Sequence, residues 1–471
     1  MSNTISSCNS EARSYIIFFT EPNLGGHIND YPYLTPPRVA SAYNIPASTG
    51  ANVKVGIISL GGGWSASDFN KSMSDLGLSS LITSSNITTV GVDKTAGWTS
   101  TSNLSYDQNT FDGAASLENT LDLYCVAGMA PKANIVLYIG TLSGPSYGTT
   151  NPAITPSQNL VTGFGNVINR AVSENCDIIT VSWGQSELFV NSGTTYYFGD
   201  WLAAPLANAA AQGITVLVAT GDNGSEPFAS SNFEGVQYPA TSANVIAVGG
   251  TNLQTNYAYG NVRLSETVEY HDGFSNTWGG GGGVSTTIPL PSWQANLSYT
   301  PYFQANSTAG SLTTLTKRGI PDISAAMNAY SLYSNGTIAT VGGTSAAAPI
   351  MAGMFARFMS LNNGRRPIPN AIHSILYNNL DAYYDITTGN NATVQYLNGY
   401  AASSNWDPVT GVGVPWGNVV YQMVSSGGTT VKTATNTWSY LANVKVKTAP
   451  TTWSNVKAIW TKTINGWSQT F

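Results

Sequence analysis

Val53-Lys54-Val55-Gly56-Ile57-Ile58-Ser59-Leu60, followed by Gly61-Gly62-Gly63, reads as a buried strand that runs into a glycine-rich turn. Residues 133–139, 178–183 and 214–219 repeat that pattern. Between them lie helical patterns at 116–128, 160–175 and 199–212, and a further apolar helix is expected after Pro349, to about residue 362. Short apolar strands alternating with helices predict an α/β fold, a doubly wound and mostly parallel sheet with helices on both faces.

Outward from this core the chain loses its rhythm. Residues 1–32 are polar and are expected to be an irregular N-terminal segment, with the main domain over 33–424. Residues 235–320 look less regular, and the glycines at 279–283 imply a close backbone approach or a mobile rim. Residues 381–418 are rich in Gly, Asn, Asp and Pro and are expected to be mostly loop. Residues 425–434 read as a linker, and 435–471 as a small β appendage with Trp438, Trp453, Trp460 and Trp467. Asn443-Val444-Lys445 and Asn455-Val456-Lys457 form a partial repeat there. The tryptophans either form a core of their own or dock the tail onto a partner, a glycan or a particle.

Composition narrows the function. Only 9% of the 471 residues are charged, against roughly 25% in ordinary soluble domains. Such a surface has few ion pairs to lose in acid, which suits an acid-working or extracellular protein. The net charge of −6 offers no basic field for nucleic acid, although residues 431–471 carry five lysines and no acid. Cys8, Cys125 and Cys176 are too few and too scattered for a disulfide framework or, with His27, His271 and His373, for a zinc site. No apolar run reaches the length of a membrane span, and no secretory signal is visible.

Gly342-Gly343-Thr344-Ser345-Ala346-Ala347-Ala348-Pro349 puts a serine where a tight turn opens a small-residue helix. A hydroxyl there lies at the positive helix end, beside N–H groups able to hold an oxyanion. The same string would also suit an ordinary capped helix start. In Leu117-Glu118-Asn119-Thr120-Leu121-Asp122 two carboxylates fall at i and i+4 of one helix, with apolar neighbours that imply burial. Two close acids cannot both ionise easily, so one keeps its proton. Such a pair can relay a proton from a serine in acid, where a histidine would already be charged. A solvated helix face is the plainer reading of the pair. Asp222, in Thr220-Gly221-Asp222-Asn223-Gly224, follows an apolar strand and could equally be a turn former.

Taken together these motifs resemble the sedolisin family of serine-carboxyl peptidases, which have a subtilisin-like fold. Gly-Thr-Ser-Ala-x-x-Pro is similar to the nucleophile motif shared with subtilisins, Glu118 to Asp122 to the family's Glu-x-x-Leu-Asp helix, and Asp222 to its Ser-Gly-Asp-x-Gly turn. None of the three histidines has the context a subtilisin base requires. Leu34-Thr35-Pro36, Ser182-Trp183-Gly184, Tyr238-Pro239-Ala240 and Arg318-Gly319-Ile320-Pro321-Asp322 follow in the family's order. The resemblance implies an acid-active peptidase acting on peptides or unfolded protein. In it Ser345 is the nucleophile, Glu118 the general base and acid, Asp122 its orienting partner, and Asp222 an oxyanion donor when protonated. Ser182-Trp183-Gly184 would wall the substrate groove. It also implies one calcium ion, held by the Asp385 and Asp407 side chains and the carbonyls of Ile386, Ser403 and Asn405, the last two at positions where the family favours glycine. The family motif usually opens with Ser where this chain has Gly342, and about 32 residues precede the matching region, where the family carries a long prodomain. A non-catalytic structural or attachment protein of a particle, keeping the fold, is the competing reading.

Overall fold

In a computed structural model of the chain, the stretch quoted first forms strand β1 (Lys54–Ser59). The structure describes residues 27–417, apart from 31, 142–157, 192–193, 198, 227–233, 257–258, 272–277, 304–306, 368–370 and 393–397. Outside that range it describes the strand segments Ser2–Asn3, Arg13–Ser14 and Ile17–Phe19 and six short strands between Thr430 and Gln469.

The remaining strands that matter here are β2 (Thr88–Gly91), β3 (Asn134–Ile139), β4 (Ile178–Val181), β5 (Trp183–Ser186), β6 (Thr215–Ala219), β7 (Ile246–Asn256), β8 (Val262–Val268), β9 (Ile323–Ala326), β10 (Tyr330–Ser334) and β11 (Thr337–Gly342). The central sheet has the order β8-β7-β6-β4-β1-β3-β2, with β9 paired to β7. All its pairings are parallel except β7 with β8. The chain builds outward from β1 first on one side, through β2 and β3, and then on the other, through β4, β6 and β7. This reversal leaves a crevice at the carboxyl ends of the strands.

Alternate residues of each strand feed two cores. Helices α1 (Pro36–Ala42) and α2 (Ala66–Asp75) come first in the chain, and Ile57, Leu137 and Leu217 join side chains of α3 (Phe111–Met129) and α6 (Thr344–Leu361) on one face. Ile58, Val136 and Val216 join Phe164 and Ile168 of α4 (Gln158–Ser173) and Leu206 of α5 (Ala203–Ala211) on the other. Both faces are covered, as the unbroken apolar runs require.

Three regions differ from the sequence expectation. The segment expected to be irregular before residue 33 carries paired strand residues (Arg13–Ser14 on β5, Ile17–Phe19 on β11). Residues 235–320 contain regular strands, among them the β7–β8 ribbon, which runs antiparallel from Thr251 opposite Val268 to Asn256 opposite Val262. Helix α6 begins at Thr344 and holds Pro349 within it. The tail forms three two-stranded hairpins that set Lys432 opposite Trp438, Lys447 opposite Trp453 and Lys462 opposite Trp467. The first begins at Thr430, inside the stretch read as a linker, and the rest of that stretch lies outside the described residues.

Candidate active site

The carboxyl edge of the sheet gathers the motif residues. Helix α3 packs against α6, and both lie on one face of the sheet. Glu118 and Asp122 are each 0% exposed, on the flank of α3. Asn119 of the same helix donates through Nδ2 to the carbonyls of Gly61 and Gly63, 3.1 Å each, which ties the first glycine turn to the acids. Asp122 Oδ1 accepts a 2.7 Å bond from Ser182 Oγ. Burial pushes the Asp122 carboxyl well above its usual range, against the pull of that bond.

Ser345 is the second residue of α6 and is fully buried, and its Oγ has no hydrogen-bond partner. The turn before it needs glycine, since Gly343 has φ of 116°. Pro349, four residues on, has no N–H for the Ser345 carbonyl. Ser182 Oγ stands 3.5 Å from that carbonyl, so a single hydroxyl lies between the acid and the backbone of Ser345.

Asp222 reaches the same helix start. Its Oδ1 accepts from the Thr344 N–H at 2.7 Å and from the Thr344 hydroxyl at 2.8 Å. Its Oδ2 is buried and has no partner. Burial lifts this carboxyl to about 7, the Thr344 bonds only partly opposing it. Below that pH Asp222 carries a proton, and Oδ2 is the oxygen free to present it. The glycines at 279–283 explain the close approach. A Cβ on Gly281 would stand 2.3 Å from the Thr220 carbonyl oxygen, and Gly281 N–H donates to the Gly221 carbonyl at 2.7 Å. The backbone of the Asp222 turn therefore rests directly on this run.

Two of the three histidines are engaged elsewhere. His27 bonds Asp75 at 3.0 Å, and His373 bonds the Val245 carbonyl at 2.7 Å and stacks on Trp293.

The residues named for calcium lie together in one loop region. Asp407 is buried. It accepts from Ser403 N–H on Oδ2 and from the Val409 and Thr410 N–H groups on Oδ1, at 2.8–3.0 Å. Asp385 accepts from Asn405 N–H at 2.8 Å through Oδ2, while its Oδ1 is buried without a partner. Burial, with the nearby Asp385 charge as a smaller cause, raises the Asp407 carboxyl to about 7. Asn405 takes φ of 70°, the left-handed conformation that a glycine would adopt and that Asn tolerates best among other residues. The two acids and the orphan oxygen fit a hard cation. No group of three His, Cys, Asp or Glu side chains converges among the described residues, so carbonyls would have to supply the remaining ligands.

The motifs place Ser182 only in a groove wall and Thr344 only in the serine motif, and do not show that their hydroxyls connect the acids to α6. The available signal was position: Ser182 directly follows β4, as Asp222 follows β6, at the same sheet edge.

Comparison with known proteins bears on the family. A model of the subtilase family matches residues 105–404. Kumamolisin of Bacillus sp. (strain MN-32) is 31% identical over 81% of this chain and 62% of its own length. Sedolisin of Pseudomonas sp. (strain 101) is 33% identical over 81% of this chain and 58% of its own. The chain thus spans about three fifths of the length of these relatives. The solved structure of Pseudomonas sedolisin, a serine-carboxyl proteinase complexed with two molecules of pseudo-iodotyrostatin, superposes with a TM-score of 0.64 at 26% identity, covering 86% of this chain and 100% of that one. No helix among the described residues is long and apolar enough to cross a membrane. With its subtilisin-like sheet, its family match and these relatives, the chain belongs to the sedolisin branch of the subtilase family.

Proposed function

We propose that the protein is an acid-active serine-carboxyl peptidase that hydrolyses peptide bonds in peptides or unfolded proteins. The observation that carries this reading is Asp222: a buried carboxyl, fixed by one oxygen to the first residue of the nucleophile helix and free at the other.

Ser345 Oγ attacks the substrate carbonyl while its proton passes to Glu118, and Asp122 takes part of the resulting charge. Asp222, neutral in acid, donates from Oδ2 to the developing oxyanion, together with N–H groups at the α6 start. Glu118 then returns the proton to the leaving amine, and water releases the acyl group by the same route in reverse. This route needs no histidine.

A calcium ion held by Asp385, Asp407 and the carbonyls of Ile386, Ser403 and Asn405 would fix the loop beside this apparatus. That loop matters because Pro408 O lies 2.1 Å from where a Gly282 Cβ would be, next to Gly281 and the Asp222 turn. A chelator is expected to lower the thermal midpoint, and Asp385→Ala to abolish that effect. An unchanged midpoint in wild type would remove the ion from the account.

The direct test is hydrolysis of an unfolded protein from about pH 3 to pH 8, where a carboxyl relay works best in acid. Cleavage confined to the acid side and lost in Ser345→Ala is expected. A neutral optimum would remove the roles given to Glu118 and Asp222. Pseudomonas sedolisin, to which the chain is similar, is a serine-carboxyl proteinase, which favours catalysis over a purely structural role for the fold.

A further inference from the structure

A cavity of about 240 Å³ lies at the amino ends of β6 and β7, where Ile214, Val216 and Ile246 line it. Asp222 follows the other end of β6, so about 13 Å of strand separates the cavity from the Asp222 turn. Trp293 and, from α7 (Ile372–Tyr377), Ile372 and His373 also line it. The Trp293 and His373 rings are stacked, with centroids 4.2 Å apart and planes inclined by 14°.

This aromatic wall carries two polar groups whose hydrogen bonds are unmade. His373 is 5% exposed, and its Nε2 lies 2.7 Å from the Val245 carbonyl oxygen. A carbonyl only accepts, so Nε2 carries a proton, and in the neutral ring Nδ1 is then an acceptor. The other polar neighbour, Asp322 Oδ2, is also on the Nε2 side, at 3.7 Å. Nδ1 meets no donor among the described residues. Trp293 Nε1 is a donor, and it is buried without a partner.

The lining sets the class of ligand. No Asp, Glu, Lys or Arg side chain lines the cavity, so a charged ligand would lose its hydration and gain no counter-charge. The volume is below the roughly 300–1,000 Å³ of sites for drug-sized molecules, and above the ~150 Å³ that holds one benzene ring. A peptide substrate is therefore too large. Aliphatic walls beside a stacked pair suit one flat apolar ring. The unused acceptor and donor suit a hydroxyl on that ring, which donates to Nδ1 and accepts from Nε1. We propose that this cavity binds a small neutral phenol, at a site separate from the catalytic cleft. The inference does not depend on the peptidase reading, because none of the groups given a catalytic role lines the cavity.

The test titrates the full-length protein with para-fluorophenol, fluorobenzene and para-fluorobenzoate, followed by fluorine NMR. It is run at about pH 7.5, where a phenol with a pKa of about 10 stays neutral. Para-fluorophenol should saturate one site with a Kd of about 1 mM or tighter, within reach of so small a ligand. Fluorobenzene should bind about tenfold more weakly for want of the hydroxyl's hydrogen bonds, and para-fluorobenzoate should not bind. Ala210, half-buried on α5, also lines the cavity. Ala210→Phe should fill it and abolish binding, with the thermal midpoint and hydrolysis of unfolded protein kept. His373→Phe keeps an aromatic ring and removes Nδ1, so para-fluorophenol and fluorobenzene should then bind alike. Should that variant fail to fold, Ala210→Phe still decides. Binding of para-fluorophenol that survives Ala210→Phe, or no saturation at concentrations about tenfold above that Kd, would overturn the site. Equal affinity of para-fluorophenol and fluorobenzene for the wild type, or tighter binding of para-fluorobenzoate, would overturn the class of ligand.

Discussion

Asp222 and Asp322 are two buried aspartates beside two strands, β6 and β9, that both pair with β7, and they are kept in opposite states. Asp322, just before β9, receives the Arg318 guanidinium at 2.8 and 2.6 Å, the Tyr377 hydroxyl at 2.6 Å and the Ala247 N–H at 2.7 Å. Asp222, just after β6, has only Thr344, and on one oxygen. Burial would raise both. At Asp322 the Arg318 charge overrides it and holds the carboxyl well below its ordinary range, whereas Asp222 has no cation and rises to about 7. A buried acid with its own cation is an ionised strut. One without a cation keeps its proton and can donate it. The Glu118–Asp122 pair belongs with Asp222, since Asp122 is raised by burial and meets a hydroxyl, not a base.

Arg318→Met is the strongest way to break this contrast. It leaves Asp322 buried without its cation, and removing one partner of such a pair costs about 3–5 kcal/mol. Urea unfolding should give that loss, and Asp322→Asn added to Arg318→Met should recover part of it. If Arg318→Met is nearly neutral, Asp322 is not the ionised strut described.

Asp222→Ala attacks the other side. On the proposed role it removes one oxyanion donor and should lower kcat by about 10²–10³, or roughly 3–4 kcal/mol, while unfolding should change less than in Arg318→Met. Asp222→Asn keeps a donor that does not depend on pH. It should retain most activity and carry it further toward neutral pH. An unchanged alkaline limb would assign that limb to Glu118 and Asp122 instead.

The parallel sheet and the three short motifs gathered at its carboxyl edge were legible because apolar runs and small-residue turns are local signals. The β7–β8 ribbon was not, because β8 inverts the usual sides. Val262 and Leu264 are 58% and 63% exposed, while Arg263 and Glu266 form a buried pair at 3.1 Å. Arg263 lies over the rings of Tyr43, Tyr384 and Trp416, which are far from it in sequence. Only tertiary contact makes such a strand readable. The pairing of Arg13–Ser14 and Ile17–Phe19 was hidden for a similar reason, because their partners lie more than 150 residues further on.

Gly281→Ala sharpens the comparison more gently, because it moves Asp222 without touching it. The new Cβ would meet the Thr220 and Gly221 carbonyl oxygens at 2.3 and 2.7 Å, both backbone atoms. Overpacking of this kind costs about 1–3 kcal/mol. The strain falls on the turn that carries Asp222, so kcat should drop more than KM changes. An equal fall in thermal stability with kcat intact would mean that the glycine run only supports the fold.

The smallest effect is the dependence of stability on pH, and it separates the two aspartates by sign. Asp222 titrates near 3.8 when unfolded and at about 7 when folded. Between those values the folded chain holds a proton that the unfolded chain has lost. Its contribution is therefore complete below about pH 3.8 and declines as pH rises toward 7, by about 1.4 kcal/mol per pH unit. Asp322, depressed in the fold, contributes in full above its unfolded value and loses that contribution only as pH falls below it. Other buried acids tilt the wild-type curve as well, so the quantity to measure is the difference between wild type and Asp222→Asn. Unfolding free energies taken at intervals between about pH 4 and pH 7 should show the wild-type advantage shrinking by about 1.4 kcal/mol per unit. A difference that stays flat across that range would mean that Asp222 is already ionised in the fold. It could then not donate to an oxyanion, and the two aspartates would differ only in their partners.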